Sequence, residues 1–338
     1  AIETTGNTKP GSRSLDTWHH CMTQLQDGST ALHDGDPTAP EHTTPACVMT
    51  FNVNDPSGAS GIAADIATIS SMGAHALPVI TGILIRDTAE VLDSHDIDPD
   101  VIAEQARAAL EDVQINAWKV GFLGSAEGVS AVAEVLADYA DVPLVSYLPN
   151  LTWLDDEQQS SYLDAFKELI LPSTTLLVGN HKTLTDFLLP DWESERAPSA
   201  RELAVAASEC GTQFVLVTGI QLPDQFIDNV LASPQGALAG ERFERFEATF
   251  VGAGDTLSSA LAAILASTEE VDAAVSEALS FLDQALDAGF RPGMGQIIPD
   301  RFFWALPPDG EGDAAEPDEG PASAEDDHTP PTNPRHVH

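Results

Sequence analysis

Short apolar segments alternate with helical segments along most of this chain. Runs rich in β-branched and aromatic residues recur before residue 220, and stretches with helical periodicity separate them. Strands joined across a helix run parallel, and such connections are right-handed. The alternation therefore predicts one α/β domain with a doubly wound, mostly parallel sheet and helices on both faces.

The predicted strands and helices follow from this pattern. Apolar runs lie at 46–53, 76–85, 115–122, 143–148, 174–179 and 213–218, and two further extended runs, 226–232 and 243–250, predict a hairpin-like excursion. Helical stretches lie at 61–72, 99–111, 126–138, 157–170, 199–209, 255–266 and 269–288. In an open parallel sheet the ligand site lies at the carboxyl ends of the strands, so the turns there are the candidate site.

The two ends of the chain differ in composition from the centre. Residues 1–45 are rich in Thr, Ser, Gly, Pro, His and Asp, which predicts a flexible leader. Residues 307–338 mix Pro, Gly, Ala and acids, which predicts a disordered acidic tail. The folded domain is therefore expected at 46–306.

The charge of the chain limits its partners. With 54 acidic residues against 14 Lys and Arg, the formal net charge is −40, which disfavours nucleic acid and anionic membranes as partners. Adaptation to high salt and plain high solubility both remain open as reasons for this charge. Three widely spaced cysteines support no zinc site and are typical of the cytoplasm, and no apolar run is long enough to span a membrane.

A glycine-rich turn before a late helix is the candidate catalytic motif. The sequence Gly252-Ala253-Gly254-Asp255 leads from an extended run into an Ala- and Leu-rich helix. Small residues let backbone N–H groups converge, and the helix N-terminus adds partial positive charge, which suits a phosphate. Asp255 would then be the general base for an attacking hydroxyl. An ordinary loop with an Asp near the helix N-cap is the alternative.

Five segments in order resemble the hydroxymethylpyrimidine and phosphomethylpyrimidine kinases of thiamine biosynthesis, members of the ribokinase superfamily related to pyridoxal kinases. They are the stretch 48–81 with its Asn54-Asp55-Pro56-Ser57-Gly58 turn, then Lys119–Ser125, Val215–Gly219, Val251–Ala263 and Ala288–Arg301. The resemblance spans about residues 46–306. It implies a ribokinase-like fold, ATP and Mg²⁺ as cofactors, a small-molecule substrate and a homodimer.

The resemblance also implies roles for particular residues. Asp255 is the implied base, with an anion hole of Gly252, Ala253 and Gly254. The implied substrate-binding residues are Asn54, Asp65, Arg86 and Phe122, and the implied nucleotide-binding residues are Asn180, Thr218, Gly219 and Thr256. Two roles stay open: Asp55 lines the pocket or braces its turn, and Lys119 meets a phosphate or is structural.

Several positions depart from the family pattern. An Asp-Pro-Val segment usually follows the strand at 143–148, but Ser146–Leu151 contains no acid, and a usual Glu is replaced by Thr183. Those two acids usually help to hold hydrated magnesium, so the metal ligands are unknown, with Asp155, Asp156 and Asp186 as candidate substitutes. Arg86 stands where the family has a Gln; Arg suits a phosphate or a carboxylate unless it pairs with Asp87 or another acid.

The leading hypothesis is therefore an ATP-dependent kinase for the hydroxymethyl group, or its monophosphate, of 4-amino-5-hydroxymethyl-2-methylpyrimidine. The Asn54–Gly58 turn and the Gly73-Ala74-His75 segment match that branch best. A pyridoxal or pyridoxine kinase is the alternative, because pyridoxal kinases usually carry Asp where many hydroxymethylpyrimidine kinases carry Cys, at the position of Asp255. A non-catalytic ligand-binding descendant is a third hypothesis, based on the missing magnesium-side acids.

Overall fold

The computed structural model describes residues 44–305. The strands are β1 Cys47–Asn54, β2 His75–Arg86, β3 Val91–Asp96, β4 Ala117–Val120, β5 Leu144–Tyr147, β6 Leu176–Asn180, β7 Phe214–Gln221, β8 Phe226–Ser233 and β9 Gly236–Glu244. The helices are α1 Gly61–Ser71, α2 Pro99–Leu110, α3 Ala126–Ala137, α4 Asp156–Ala165, α5 His181–Leu188, α6 Ala200–Glu209, α7 Ala253–Leu265 and α8 Val271–Asp287.

All of these strands belong to one sheet, in the order β3-β2-β1-β4-β5-β6-β7-β8-β9. The pairs from β2 through β7 are parallel, and the outer pairs β2·β3, β7·β8 and β8·β9 are antiparallel. This confirms the predicted α/β class and the doubly wound, mostly parallel sheet. Among the described residues, no helix is both long and apolar enough to cross a membrane.

The central strands are apolar because both faces of the sheet are covered. Alternate residues of β1 face opposite layers: Phe51 packs in one core with α2, α3 and α6, whereas Val48 packs in the other with α1, α7 and α8. Buried polar residues interrupt these strands, among them Thr50, Asn52 and Lys119, which all donate hydrogen bonds to Asp65. Burying a polar or charged group without partners is costly, so their positions mark the site.

The structure corrects some of the predicted element bounds. The prediction of an extended run at 243–250 is wrong, because β9 occupies Gly236–Glu244. Between the end of β9 and residue 250, only Phe250 forms a bridge, which pairs it with Ile297. The start of β9 was missed because its sequence is rich in Gly and Ala, which are uncommon in strands. The strand forms because it pairs with β8. The helix predicted at 157–170 ends as α-helix at Ala165 and continues as one π turn to Ile170.

Two elements, β3 and α5, were not predicted at all. β3 has no buried residue, its one strongly exposed apolar residue is Leu92, and α5 is a short helix whose N-cap is Asn180. The predicted leader (1–45) and tail (307–338) lie almost wholly outside the described residues, so these two assignments and the bounds of the 46–306 domain stay predictions.

Candidate functional site

A cleft of about 700 Å³ opens at the carboxyl ends of β1, β4, β5 and β6. Its wall includes Asn52, Arg86, Phe122, Tyr147, Gly252 and Asp255. The ring of Phe122 lies 5.3 Å from that of Trp153, edge to face, which gives the cleft an aromatic side suited to a flat ring. The cleft therefore combines an aromatic wall with the turn that precedes α7.

Asp255 lies on the first turn of α7, and three donors hold its carboxylate. Oδ1 accepts hydrogen bonds from Nδ2 of Asn52 at 2.8 Å and from Nζ of Lys119 at 2.9 Å. Oδ2 accepts from the backbone N–H of Gly61 at 3.1 Å. A carboxylate has about four acceptor positions, so one position on Oδ2 stays available to a substrate hydroxyl.

A second acid, Asp65, lies beneath Asp255 and is fully buried. Its Oδ1 lies 2.8 Å from Nζ of Lys119 and accepts from Ser259 at 2.8 Å, and its Oδ2 accepts from Thr50 at 2.6 Å. Thr50 and Lys119 are neighbours across the β1·β4 pair, and Ser259 lies one helical turn after Asp255. Two strands and two helices thus meet in one hydrogen-bonded network.

The charges in this network stabilise one another. Burial alone would lower the pKa of Lys119, but the carboxylates of Asp255 and Asp65 and their hydrogen bonds outweigh it and raise that pKa. Burial raises the pKa of Asp65, and the ammonium group of Lys119 opposes this shift. A buried pair of this kind does little for net stability but makes the loss of either partner expensive, because the other charge is left without compensation.

The turn before Asp255 has the geometry of an anion seat. Gly252 caps α7 with φ of 81°, a left-handed conformation that favours glycine, and a Cβ there would overlap the carbonyl oxygen of Ala59. Within residues 44–305, the backbone N–H groups of Ala253, Gly254 and Asp255 have no acceptor. Free amides at a helix N-terminus attract a phosphate oxygen.

A buried arginine, Arg301, supports the seat from behind. Its Nε donates to Thr256 at 3.0 Å and its Nη2 donates to the carbonyl oxygen of Ala59 at 2.6 Å. A Cβ on Gly252 would lie 2.8 Å from that Nη2, so the guanidinium lies directly against the turn. It adds a positive charge to the site, because arginine stays protonated even when buried.

Arg86 and Asp55 complete the charges around the cleft. Asp55 accepts from the backbone N–H groups and hydroxyls of Ser57 and Ser60, and Nη1 of Arg86 lies 3.7 Å from its Oδ2. The acids at 55, 65 and 255 face the cations at 86, 119 and 301, and Glu90 adds one more acid to the cleft wall, so the site carries little net charge within a chain of net charge −40. A site with little net charge lets an anionic ligand approach an otherwise repulsive surface.

The family comparison agrees with this geometry. The sequence model described as phosphomethylpyrimidine kinase matches residues 55–300. The chain belongs to the phosphomethylpyrimidine kinase family. This confirms the resemblance found from the sequence motifs, and it makes the chain a member of a family of phosphotransferases.

Curated relatives of the family cover most of the chain. The hydroxymethylpyrimidine/phosphomethylpyrimidine kinase of Streptomyces coelicolor is 30% identical over 272 residues, which span 80% of this chain and 98% of that protein. The protein of the same name from Escherichia coli K12 is 32% identical over 246 residues, spanning 70% of this chain and 90% of that protein.

Solved structures show the same ribokinase-like fold. The pyridoxal kinase of Bacillus subtilis, in complex with ADP, gives a TM-score of 0.70 at 22% identity, covering 78% of this chain and all of that chain. The phosphomethylpyrimidine kinase of Clostridium difficile gives a TM-score of 0.60 at 23% identity, covering 71% of this chain and 99% of that chain. At these identities the likeness concerns the fold.

The structure places the predicted substrate residues of this family member unequally. Arg86 and Phe122 line the cleft beside Asp255. Asp65 is fully buried beneath Asp255 and does not line the cleft. Asn54 is half-buried and does not line the cleft either. Asn52, two residues earlier, lines the cleft instead. Asp55 accepts hydrogen bonds within its own turn, and the side-chain hydrogen bonds of Lys119 go to the carboxylates of Asp65 and Asp255. Nη1 of Arg86 approaches Asp55, and its Nε donates to the backbone oxygen of Asp87.

The predicted nucleotide residues also differ in their placement. Asn180 lines the cleft and caps α5 by accepting from the N–H of Thr183 at 2.9 Å. Thr218 donates to the carbonyl oxygen of Gly179, and Gly219 has φ of 70° with open space around it. Thr256 is buried, donates to the carbonyl oxygen of Gly252 and accepts from Arg301, so its hydroxyl is already engaged.

No preformed magnesium site is present among residues 44–305, where no cluster of three or more metal-ligating side chains occurs. Of the candidate substitutes, Asp155 caps α4, Asp186 pairs with Lys182 on the surface, and Asp156 lies in the first turn of α4. None of the three lines the cleft. The protein side chains alone therefore do not fit a dedicated magnesium site.

Sequence reasoning missed four members of the network: Thr50, Asn52, Ser259 and Arg301. The signal for the first two was present, since polar residues at successive same-face positions of an apolar strand need buried partners. The signal for Ser259 was its spacing of four from Asp255, which puts both on one helix face. Arg301 carried no such local signal, because it reaches the site from the end of the described chain.

Proposed function

We propose that this protein is an ATP-dependent kinase that phosphorylates the hydroxymethyl group, or its monophosphate, of 4-amino-5-hydroxymethyl-2-methylpyrimidine in thiamine biosynthesis. Asp255 carries the proposal: its carboxylate lies at the cleft, next to unpaired amides at the N-terminus of α7, with an acceptor position to spare. The names of the relatives support the same substrate. We place the reaction in the cytoplasm.

In this proposal Asp255 takes the proton of the attacking hydroxyl. Asn52, Lys119 and Gly61 fix the carboxylate, so it needs no reorganisation before the proton moves. The amides of Ala253, Gly254 and Asp255 meet the charge on the transferring phosphoryl group. Phe122 and Trp153 flank the ring of the substrate, and Arg86 contacts its edge.

ATP is the proposed phosphoryl donor. Related pyridoxal kinases of Staphylococcus aureus and Bacillus subtilis have been solved with AMP-PCP and with ADP. Asn180 ends β6, Thr218 and Gly219 lie inside β7 where its pairing with β8 shifts register, and these three residues form the proposed nucleotide contacts. Magnesium would be held mainly by nucleotide phosphates and water, because the cleft offers no carboxylate cluster.

Pyridoxal is the second candidate substrate. Asp255 favours it, because pyridoxal kinases usually carry Asp at the position where many hydroxymethylpyrimidine kinases carry Cys. The test is a magnesium-dependent ATP-consumption assay with hydroxymethylpyrimidine, its monophosphate and pyridoxal, side by side. The proposal expects phosphorylation of one of the pyrimidines; turnover of pyridoxal alone selects the second candidate. Ligand binding without phosphorylation of any of them selects the non-catalytic descendant.

A further inference from the structure

The cleft wall includes a tyrosine, Tyr147, beside the proposed anion seat. Tyr147 is the last residue of β5, at the carboxyl edge of the sheet, and it lines the cleft with Asp255. Its ring lies against Gly254, in the middle of the anion seat: a Cβ on Gly254 would overlap Cζ and Oη of the tyrosine. The phenol is therefore held against the first turn of α7.

The ring of Tyr147 has further neighbours that restrict its position. The ammonium group of Lys119 lies 5.9 Å from the ring centroid, and the ring packs against the apolar core beneath α7 and α8. A side chain held between a strand, a buried cation and a helix presents its hydroxyl in a defined place. Such a group is preorganised for contact with a ligand.

The hydroxyl of Tyr147 is available to form a hydrogen bond with a ligand. It has no hydrogen-bond partner among residues 44–305, whereas the buried hydroxyl of Tyr162 accepts from the N–H of Leu123 at 3.2 Å. Burial, and then the negative charges of Asp255 and Asp65, raise the pKa of Tyr147 well above its usual value, so the phenol keeps its proton. It is a hydrogen-bond donor beside three unpaired amides.

We propose that the hydroxyl of Tyr147 is a catalytic residue: it donates a hydrogen bond to a non-bridging oxygen of the phosphoryl group seated on the amides of Ala253, Gly254 and Asp255. The inference rests on the proposed phosphoryl transfer, because it uses the same seat. During transfer the charge spreads over the equatorial oxygens, and a fixed donor there stabilises the transition state. Tyr147 keeps its proton throughout.

The surroundings of Tyr147 favour a donor there. The segment 146–151 contributes no carboxylate, so this side of the seat carries no negative charge to repel a phosphate. A neutral phenol adds a hydrogen bond without adding charge to a cleft that already carries little net charge. Tyr147 is therefore suited to bind the anion from the strand side while the amides bind it from the helix side.

The test replaces Tyr147 with Phe, which removes the hydroxyl and keeps the ring on Gly254. Tyr139→Phe is the matched control, since it removes the hydroxyl of a tyrosine that is 36% exposed and packs on Trp118, outside the cleft lining. Two quantities are measured: the affinity for inorganic phosphate, by calorimetry, and the steady-state kinetics. Tyr147→Phe is expected to weaken phosphate binding about tenfold and to lower kcat about 10- to 100-fold, with the acceptor KM unchanged. Tyr139→Phe is expected to match the parent protein.

Two results would overturn the assignment of Tyr147. One is a Tyr147→Phe protein with the phosphate affinity and kcat of the parent. The other is tighter phosphate binding or faster turnover, which would mean that the hydroxyl obstructs the seat. The phosphate measurement needs no turnover, so it decides the role of Tyr147 even if no acceptor is phosphorylated and the proposed function fails.

Discussion

The ammonium group of Lys119 lies 2.9 Å from Oδ1 of Asp255, in the interior of the protein. The side chain of Lys119 is fully buried, and that of Asp255 is 11% exposed. The proposed base is therefore anchored by a cation that solvent does not reach, and the same cation neutralises Asp65. This relationship makes the stability of the fold and the chemistry of the cleft depend on one residue.

Replacing Lys119 with Met should strongly destabilise the protein. The variant leaves the carboxylates of Asp65 and Asp255 buried without their counter-charge, and breaking a buried pair in this way costs about 3–5 kcal/mol. Urea denaturation measures the free energy of unfolding. Lys182→Met is the control, because it removes an exposed lysine paired with Asp186 and should change the unfolding free energy little. Equal stabilities of the two variants would contradict the account.

The deficit of Lys119→Met should shrink at acid pH. Burial raises the pKa of Asp65 above its usual value, so its protonated form favours the folded state, and that contribution is lost as pH rises through the folded pKa. Without Lys119, which opposes this shift, the loss should be larger. Denaturation at about pH 5 and about pH 8 should give the smaller deficit at the lower pH. A deficit that is the same at both values would refute this explanation.

Gly252→Ala should disrupt the anion seat. The new Cβ would overlap the carbonyl oxygen of Ala59 and would sit on a backbone with φ of 81°. Gly58→Ala is the matched control, because Gly58 has φ of 72° but nothing within 4 Å of the new Cβ. Left-handed strain alone costs about 1–2 kcal/mol, so Gly252→Ala should lose clearly more stability and most of its turnover. Similar losses in both variants would show that the overlap is relieved without consequence.

Thr183→Glu should lower the free magnesium needed for half-maximal turnover. Thr183 lies in the first turn of α5, beside a pocket that shares Pro149–Thr152 with the cleft wall, and a glutamate there can reach a hydrated metal. Thr183→Gln has the same length without the charge and should leave the requirement as it is in the parent. A magnesium titration of turnover compares the three proteins. An unchanged requirement in Thr183→Glu would show that the metal does not approach α5.

The sequence predicted the fold class and the anion seat because both depend on local patterns. Alternation of apolar and helical segments indicates a parallel sheet, and the Gly252–Asp255 motif predicts a helix N-terminus. The network around Asp255 is different in kind. It joins Asn52 and Asp255 across 203 positions and Arg301 and Ala59 across 242. The sequence can mark a residue such as Asn52 as needing a buried partner, but it does not show which distant residue that partner is. Asp65 was assigned to the substrate from the family resemblance, and nothing in the sequence indicated its partners Lys119 and Ser259, which come from other elements.

Replacing Asp255 with Asn removes the proposed general base. The substitution keeps the shape of the side chain and removes the proton acceptor, so turnover of the best acceptor should fall by about 100-fold or more, while acceptor binding is largely retained. Asp164→Asn, at an exposed position of α4, is the control and should turn over like the parent. Turnover of Asp255→Asn and binding of the acceptor are measured on the same preparation. A variant that binds the acceptor and turns over at the parent rate would contradict the assignment of Asp255 as the base.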